Sequence, residues 1–289
     1  MKQTTLCYIE QDGCYLMLHR VKKKNDVNQD KWIGIGGHFE EGESPEECLL
    51  REAKEAGLDA ICLTEHFNTL QFDEVYGYLM EKCKREGDTL VTTEGLRVFT
   101  GMETDIAEGG HVLCTGKPEE ILELNHKLEP YKEKKYFLPF EKLMNLFSEY
   151  AVIVGAGHPY REGGHIPELP MEQLKRFHFL DLNGKDIAIK PKETKEKVLA
   201  LGECLGIPVV SGSDTHQAIQ YGCVRTCMER EVNTVKELYQ ELLFGKYQVC
   251  TSEYAAFQVK AAGLLKKALK EIHAAGGDYV SVLVSQESV

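Results

Sequence analysis

The chain of 289 residues lacks several features that would assign it to a broad class. Its ten cysteines form no CxxC pair and no dense spacing, which argues against a disulfide framework and predicts reduced, mostly buried thiols. No stretch approaches about 20 consecutive apolar residues, and the first residues lack the apolar run of a signal peptide. We therefore expect a soluble, cytoplasmic protein without a membrane segment.

The chain also has fewer basic than acidic residues. Lys and Arg total 34 against 46 Asp and Glu, which gives a formal net charge of -12. A surface of this charge repels phosphate backbones and anionic membranes, so broad nucleic-acid binding is disfavoured. A compact basic pocket for a small phosphorylated molecule is still compatible with this total. The hydrophobic content of 43% is enough for one large α/β domain or two modest ones.

Local signals divide the chain near residue 44, and there is no internal repeat or low-complexity tract. Residues 4–20 place two apolar runs around the turn sequence QDG, which predicts a β-hairpin. A helix is predicted with Ser44 as its N-cap, Pro45 at its first position and Gly57 at its end. Beyond it, apolar runs alternate with helical stretches, which predicts an α/β fold with a parallel sheet or barrel. These runs are DAICLTEH, LRVFTGME, HVLCTG, AVIVGAGHP, FHFLDLNG and IPVVSGSD.

Potential metal ligands stand at the ends of several of these predicted strands. The carboxyl ends of barrel strands converge on one face, so residues far apart in sequence become neighbours there. Imidazole and carboxylate together suit zinc, iron or manganese, and a carboxylate can bridge two ions. The sequence therefore predicts a transition-metal site. The candidate ligands are His66, Glu103, His111, His158, Asp214 and His216.

The motifs around these residues resemble those of the PHP family, named for polymerase and histidinol phosphatase. The matching segments lie between about residues 44 and 265 and are SPEECLLREAKEAGLDAI, LTEH, TGME, GHVL, GHPYR and GSDTH. The resemblance implies a metal-dependent phosphoesterase on a distorted (β/α)7 barrel, with all six candidates as ligands and Glu103 bridging two ions. It also implies that Arg161 holds a substrate phosphate by a charge-assisted fork. A surface ion pair is the alternative for Arg161.

The beginning of the PHP pattern is missing. That family opens with a strand carrying His-x-His and a Ser-Asp-Gly-like loop, and this chain has neither. Its start instead resembles the Nudix hydrolases, which cleave nucleoside diphosphates linked to another group, through KWIGIGGHFEEGESPEECLLREAKE and the pattern G-x5-E-x7-R-E-U-x-E-E-x-G-U. The residues in register are Gly37, Glu43, Arg51, Glu52, Ala53 and Glu55. The register fails after Glu55, and the resemblance covers about 55 residues.

We therefore expect two pieces that share one helix: a Nudix-like fragment at residues 1–43 and a PHP-like barrel at 44–289, with the helix 44–57 at the junction. Nudix chemistry needs clustered glutamates that hold magnesium against a pyrophosphate. Glu52 and Glu55 share a helical face, but Ala56 stands where the third carboxylate is expected. A structural role for this helix is favoured over a working Nudix site.

A parallel barrel without its first strand exposes unpaired edges, which favours aggregation. The apolar hairpin predicted in residues 4–20 is the candidate to fill that gap. A further possibility is that His38 and Glu40 replace the missing His-x-His ligands. The alternative is that both are solvated residues of a glycine-rich loop.

The expected activity is hydrolysis of a small phosphorylated substrate by metal-bound hydroxide, with one to three Zn, Mn or Fe ions and reduced activity because ligands are missing. Two alternatives differ in class. The missing ligands favour a non-catalytic, degenerate metal-binding chimera. The N-terminal motif favours a Nudix-type nucleoside diphosphate pyrophosphohydrolase.

Overall fold

The computed structural model describes residues 9–11, 14–16, 18–19, 32–33, 45–189 and 191–274. In the N-terminal part, strand β1 (Ile9–Gln11) pairs antiparallel with β2 (Cys14–Leu16), and β3 (Leu18–His19) pairs with β4 (Trp32–Ile33). The hairpin predicted around the sequence QDG is therefore confirmed in its paired residues.

Helix α1 (Pro45–Glu55) follows, as the sequence predicts. Gly57 adopts a φ of 81°, a left-handed conformation that ends many helices and that glycine tolerates without strain. Its amide donates to the carbonyl oxygen of Lys54 over 2.9 Å. The predicted N-cap, Ser44, lies outside the described residues.

An eight-stranded mixed sheet forms the centre of the protein. Its strands are β5 (Ala60–His66), β6 (Lys84–Glu86), β7 (Thr89–Val91), β8 (Arg97–Asp105), β9 (His111–Gly116), β10 (Ile153–Gly157), β11 (Phe179–Asp181) and β12 (Val209–Val210). The pairs β5–β8, β10–β11 and β11–β12 are parallel, whereas β9 runs antiparallel between β8 and β10. Each of the six predicted apolar runs contributes one of these strands, so the α/β prediction is confirmed.

The distorted (β/α)7 barrel is not found in the part of the chain that the structure describes, because the sheet there stays open. Strand β5 pairs with β8 alone, and β12 pairs with β11 alone. The described strands β1 to β4 pair only among themselves, so the expectation that the N-terminal hairpin fills the gap beside β5 was wrong for these residues. Among the described strands, none bridges the edges formed by β5 and β12.

Helices and a further antiparallel pair of strands, β13 with β14, accompany this sheet. They are α2 (Phe72–Lys82), α3 (Pro118–Lys127), α4 (Phe140–Phe147), α5 (Met171–Leu174), α6 (Gly184–Ile189), α7 (Pro191–Leu205), β13 (Val224–Met228), α8 (Val235–Leu243), β14 (Tyr247–Thr251) and α9 (Ala255–Ala274). The main core packs apolar faces of α2, α3 and α4 against the sheet, through buried side chains such as Phe72, Leu124 and Phe140. Within the described ranges, no helix combines the length and apolar character needed to cross a bilayer.

The hydroxyl of Tyr76 fixes α2 to two neighbouring strands. It lies 2.9 Å from the carbonyl oxygen of Leu63 in β5 and 2.6 Å from that of Gly101 in β8. Burial raises the pKa of this phenol far above its usual range, so it remains a neutral donor. The contact fixes α2 against the parallel pair β5–β8, which carries the first candidate ligands.

Candidate metal centre

Strand direction decides which candidate ligands meet. The parallel strands β5, β8 and β10 carry His66, Glu103 and His158 at or just beyond their carboxyl ends. Strand β9 is antiparallel, so its first residue, His111, lies at the same edge of the sheet. The register places His66 opposite Glu103.

Glu103, His111 and His158 form a compact group. One ligand atom of each lies within 4.8 Å of the others, and Nε2 of His158 is 3.5 Å from Oε1 of Glu103. The imidazole rings of His111 and His158 are edge to face, with centroids 4.7 Å apart. The side chains of Glu103, His111 and His158 are 11, 27 and 9% exposed, so solvent reaches the group chiefly past His111.

Electrostatic coupling within this group is strong. Burial alone raises the pKa of the Glu103 carboxyl, but its contacts with His111 and His158 outweigh burial and bring the pKa well below its usual range. For His111, burial lowers the pKa, whereas contacts with Asp105 and Glu103 raise it to about 9. The carboxylate is therefore ionised at neutral pH, as a metal ligand must be.

The donor set fits a divalent metal ion. The buried Nδ1 of His111 faces Oε1 of Glu103 but has no hydrogen-bond partner in the described part of the chain. On its other side, Nε2 of His111 lies 3.2 Å from Oδ1 of Asp105. One carboxylate and two imidazoles within mutual reach are ligands that zinc, iron and manganese accept, and a carboxylate behind a ligating histidine orients its ring.

The other three candidates are outside this group. The ring centroid of His66 is 5.7 Å from that of His111, which leaves His66 beside the group. Nδ1 of His216 is 3.0 Å from the carbonyl oxygen of Asp214, and His216 is 39% exposed. Neither histidine belongs to the compact group of three.

Strained backbone marks two of the candidates. His158 has a φ of 31° and Asp214 a φ of 51°, in the left-handed region that residues other than glycine rarely adopt. Such conformations persist where the surrounding structure holds them, often at functional sites. His158 directly follows β10, and Asp214 lies in the turn after β12.

Asp181 was missed by sequence reasoning and connects these turns. It is buried at the end of β11, accepts hydrogen bonds from the amides of His158 (3.3 Å) and Gly212 (3.0 Å), and also contacts Nδ2 of Asn183 at 3.0 Å. Burial raises the pKa of its carboxyl to about 6. The only sequence signal was its place at the end of the apolar run FHFLD.

Arg161 is engaged by side chains of the protein itself. Its Nη1 donates to Oδ2 of Asp214 over 2.8 Å, its Nε to Oδ1 of Asp186 over 3.2 Å, and its Nη2 to Oδ1 of Asn183 over 2.6 Å. The side chain is 21% exposed, so this is an interior ion pair, unlike the surface pair considered as an alternative. The fork predicted for a phosphate is directed at two carboxylates instead.

The Nudix-like residues divide into two sets. Gly37, His38, Glu40 and Glu43 lie outside the described residues. On α1, Nη1 of Arg51 is 3.6 Å from Oε1 of Glu52 and 3.2 Å from Oε1 of Glu55. The two glutamates line an open cleft of about 440 Å³, which they share with Tyr221, Arg225 and Gln258 among others. They do not belong to the compact group around Glu103.

Comparison with known proteins gives two different signals. A model of the NUDIX domain matches residues 2–143, well beyond the 55 or so residues that carry the motif. The fold is similar to PsfC from Pseudomonas syringae PB-5123, with a TM-score of 0.61 and 20% identity over 76% of this chain and 88% of PsfC.

The fold is also similar to the lesion-specific endonuclease PfuEndoQ from Pyrococcus furiosus. The TM-score is 0.50 and the identity 16%, over 70% of this chain and 52% of the endonuclease, so this chain spans about half of that protein's length. At such identities the two structural similarities concern the fold. The chain thus combines a Nudix sequence signal with a fold shared by PsfC and PfuEndoQ, and a group of three side chains able to hold a divalent metal ion.

Proposed function

We propose that the protein is a PHP-type, metal-dependent phosphoesterase that hydrolyses a small phosphorylated substrate. The observation that carries this proposal is the compact group of Glu103, His111 and His158 at the carboxyl edge of the sheet. When bound there, a divalent cation supplies Lewis-acid stabilisation of a phosphoryl oxygen. The name of the similar PfuEndoQ, an endonuclease, agrees with chemistry at a phosphoester.

The residues of the chain have separate tasks in this proposal. Glu103, His111 and His158 would hold the first ion, with Asp105 orienting the ring of His111. His66 lies beside this group, and Asp214 is bound by Arg161, three residues after His158, so His66, Asp214 and His216 are proposed as ligands of further ions. Arg161 is a positioning residue in this scheme, because it holds the carboxylate of Asp214 in place.

Two lysines replace Arg161 as the proposed contacts for the phosphate. Burial and the charges of Lys270, Lys185 and Arg161 lower the pKa of Lys266, whereas Asp214 raises it. Lys266 therefore lies within electrostatic reach of both Asp214 and Lys185, and the ion pairs among the described residues include neither lysine. Cations grouped in this way in a chain of net charge -12 favour a small anion over a nucleic-acid backbone.

Two alternatives have specific support. The NUDIX match favours pyrophosphate hydrolysis at Glu52 and Glu55, which share a cleft with Arg225. The open sheet and the absence of His-x-His favour a metal-binding protein without catalysis. The proposal is preferred because its ligands form a compact group with an ionised carboxylate, whereas Glu52 and Glu55 both lie beside Arg51, whose charge they already offset.

The test combines metal analysis with two substrates. Protein purified from medium containing zinc, iron and manganese is assayed with a chromogenic phosphate monoester and with a nucleoside diphosphate sugar. We expect bound metal and turnover of the monoester, both lost in Glu103→Gln and kept in Glu52→Gln with Glu55→Gln. Bound metal without turnover of either substrate would support the non-catalytic alternative. Hydrolysis of the diphosphate alone, abolished by the Glu52 and Glu55 changes, would support the Nudix alternative.

A further inference from the structure

Two cysteines face each other on the antiparallel pair of strands β13 and β14, which are connected through α8. Sγ of Cys227 lies 3.1 Å from Sγ of Cys250, and both side chains are partly exposed. The register pairs Cys227 with Gln248 and Arg225 with Cys250. The two cysteines are therefore diagonal neighbours on the same face of the strand pair, a relation that their separation in sequence does not reveal.

We propose that Cys227 and Cys250 form a redox-active dithiol, which a small-molecule disulfide oxidises to a reversible cross-strand disulfide. The inference rests on the position of the two sulfur atoms and is independent of the proposed phosphoesterase function. It differs from the expectation of inert, buried thiols, because each sulfur has a second one within reach and access to solvent.

The reaction balances in two exchange steps. The thiolate of one cysteine attacks the small disulfide, forms a mixed disulfide with it and releases one small thiol, which takes up the proton that the cysteine has lost. The second cysteine then loses its proton, attacks the protein sulfur of the mixed disulfide and releases the second small thiol. The pair of cysteines is oxidised by two electrons, and one small disulfide is reduced to two thiols.

Geometry makes this disulfide labile. Diagonal neighbours on an antiparallel pair have Cα atoms roughly 7–8 Å apart, whereas disulfides usually need about 4.4–6.8 Å. Closing the bond therefore requires a movement of the two strands, and disulfides formed under such constraint are readily reduced. We expect a bond that forms in mild oxidant and opens in dithiol, rather than a permanent structural link.

The strand pair β13–β14 is joined to the turn that carries Asp214. Oγ1 of Thr226, the residue before Cys227, accepts a hydrogen bond from the amide of Ser211 over 2.9 Å. Movement of the strands on oxidation would therefore act on the segment that leads to Asp214.

The experiment uses the full chain and glutathione disulfide as the probe. After treatment and alkylation of the remaining thiols, we expect mass spectrometry to show that Cys227 and Cys250 are neither alkylated nor joined to glutathione. A digest should contain a Cys227–Cys250 cross-linked peptide that dithiothreitol removes. Cys227→Ser and Cys250→Ser should each abolish the cross-link and retain one glutathione as a mixed disulfide on the remaining partner.

Cys204→Ser is the matched control, because Cys204 is an exposed cysteine on α7, outside the strand pair β13–β14. That variant should form the cross-link as fully as the parent protein. If the thiols of Cys227 and Cys250 in the folded parent both stay open to alkylation, or if each carries its own glutathione without a cross-link, the dithiol proposal is wrong. Circular dichroism of each serine variant verifies that the protein under test is folded, and Cys227→Ala replaces a variant that is not.

Discussion

Nη1 of Arg161 donates a hydrogen bond to Oδ2 of Asp214 over 2.8 Å, and this contact joins the turn after β10 to the turn after β12. Asp186 occupies another side of the same guanidinium, so one arginine offsets two carboxylates in a largely buried position. A guanidinium used in this way fixes the carboxylate of Asp214 relative to His158, three residues before Arg161. The contact therefore shapes the candidate metal centre without belonging to it.

The first prediction concerns the stability of this ion pair. Arg161→Ala leaves Asp214 and Asp186 without their cation, and a buried polar group that loses its partner costs about 1–3 kcal/mol. We expect the free energy of unfolding to fall by an amount in this range, measured by urea denaturation monitored by fluorescence. Arg161→Lys should recover part of the loss, since an ammonium group cannot reproduce the planar fork.

Arg176→Ala is the control for that experiment, because Nη1 of Arg176 reaches only the carbonyl oxygen of Glu141, at 3.4 Å on the surface. Its effect should stay within about 0.5 kcal/mol, as for most surface substitutions. Equal effects of the two alanine variants would show that the contact between Arg161 and Asp214 contributes nothing particular to stability.

The second prediction addresses metal affinity. His158→Ala removes one of three grouped donors, and we expect the metal affinity to fall at least about tenfold, since even residues that only orient a ligand cost that much. Equilibrium dialysis against zinc or manganese, followed by elemental analysis, measures the change. His126→Ala changes an exposed histidine paired with Asp73 and should leave the affinity unaltered. Unchanged binding in His158→Ala would remove this residue from the metal centre.

The third prediction separates the helix α1 from the metal centre. Glu52 and Glu55 contact Arg51 and line a cleft of their own, so Glu52→Gln with Glu55→Gln should leave the metal content and the monoesterase rate within a few-fold of the parent protein. Both quantities are measured on the same preparation. A folded double variant that has lost its metal would place α1 in the metal centre after all.

The fourth prediction concerns the pH dependence of folding through His178. Burial lowers its pKa, and its Nδ1 accepts a hydrogen bond from the amide of Val154 over 2.8 Å, so the folded protein favours the neutral ring. The unfolded chain then binds more protons in acid, and stability is lost as the pH falls below about 6.5 toward the lower pKa of the folded state.

His178→Asn keeps an acceptor for Val154 but does not titrate, so its stability should decline less steeply than that of the parent between about pH 7 and pH 5. Thermal unfolding at a series of pH values in the presence of chelator measures both slopes. If the stability of the two proteins declined equally with falling pH, a neutral, buried His178 would be contradicted.

The sequence by itself determined the elements and the chemical types at their ends. Apolar runs bounded by polar residues specified the strands, and the sequence SPEE with Gly57 specified α1, because these signals act between residues close together in the chain. The histidines and carboxylates at strand ends were visible for the same reason. What the sequence pattern left open was which of them make contact, since five candidates follow or end apolar runs and His111 begins one.

Only the tertiary structure decided which of these residues make contact. The reversal of β9 brings His111 to Glu103, the packing of the turns after β10 and β12 directs Arg161 to Asp214, and the register of β13 with β14 brings Cys227 to Cys250. Each contact joins residues from different elements, and it depends on strand order, direction and register. These are set by how the apolar faces of the whole chain pack together, so no local pattern contains them.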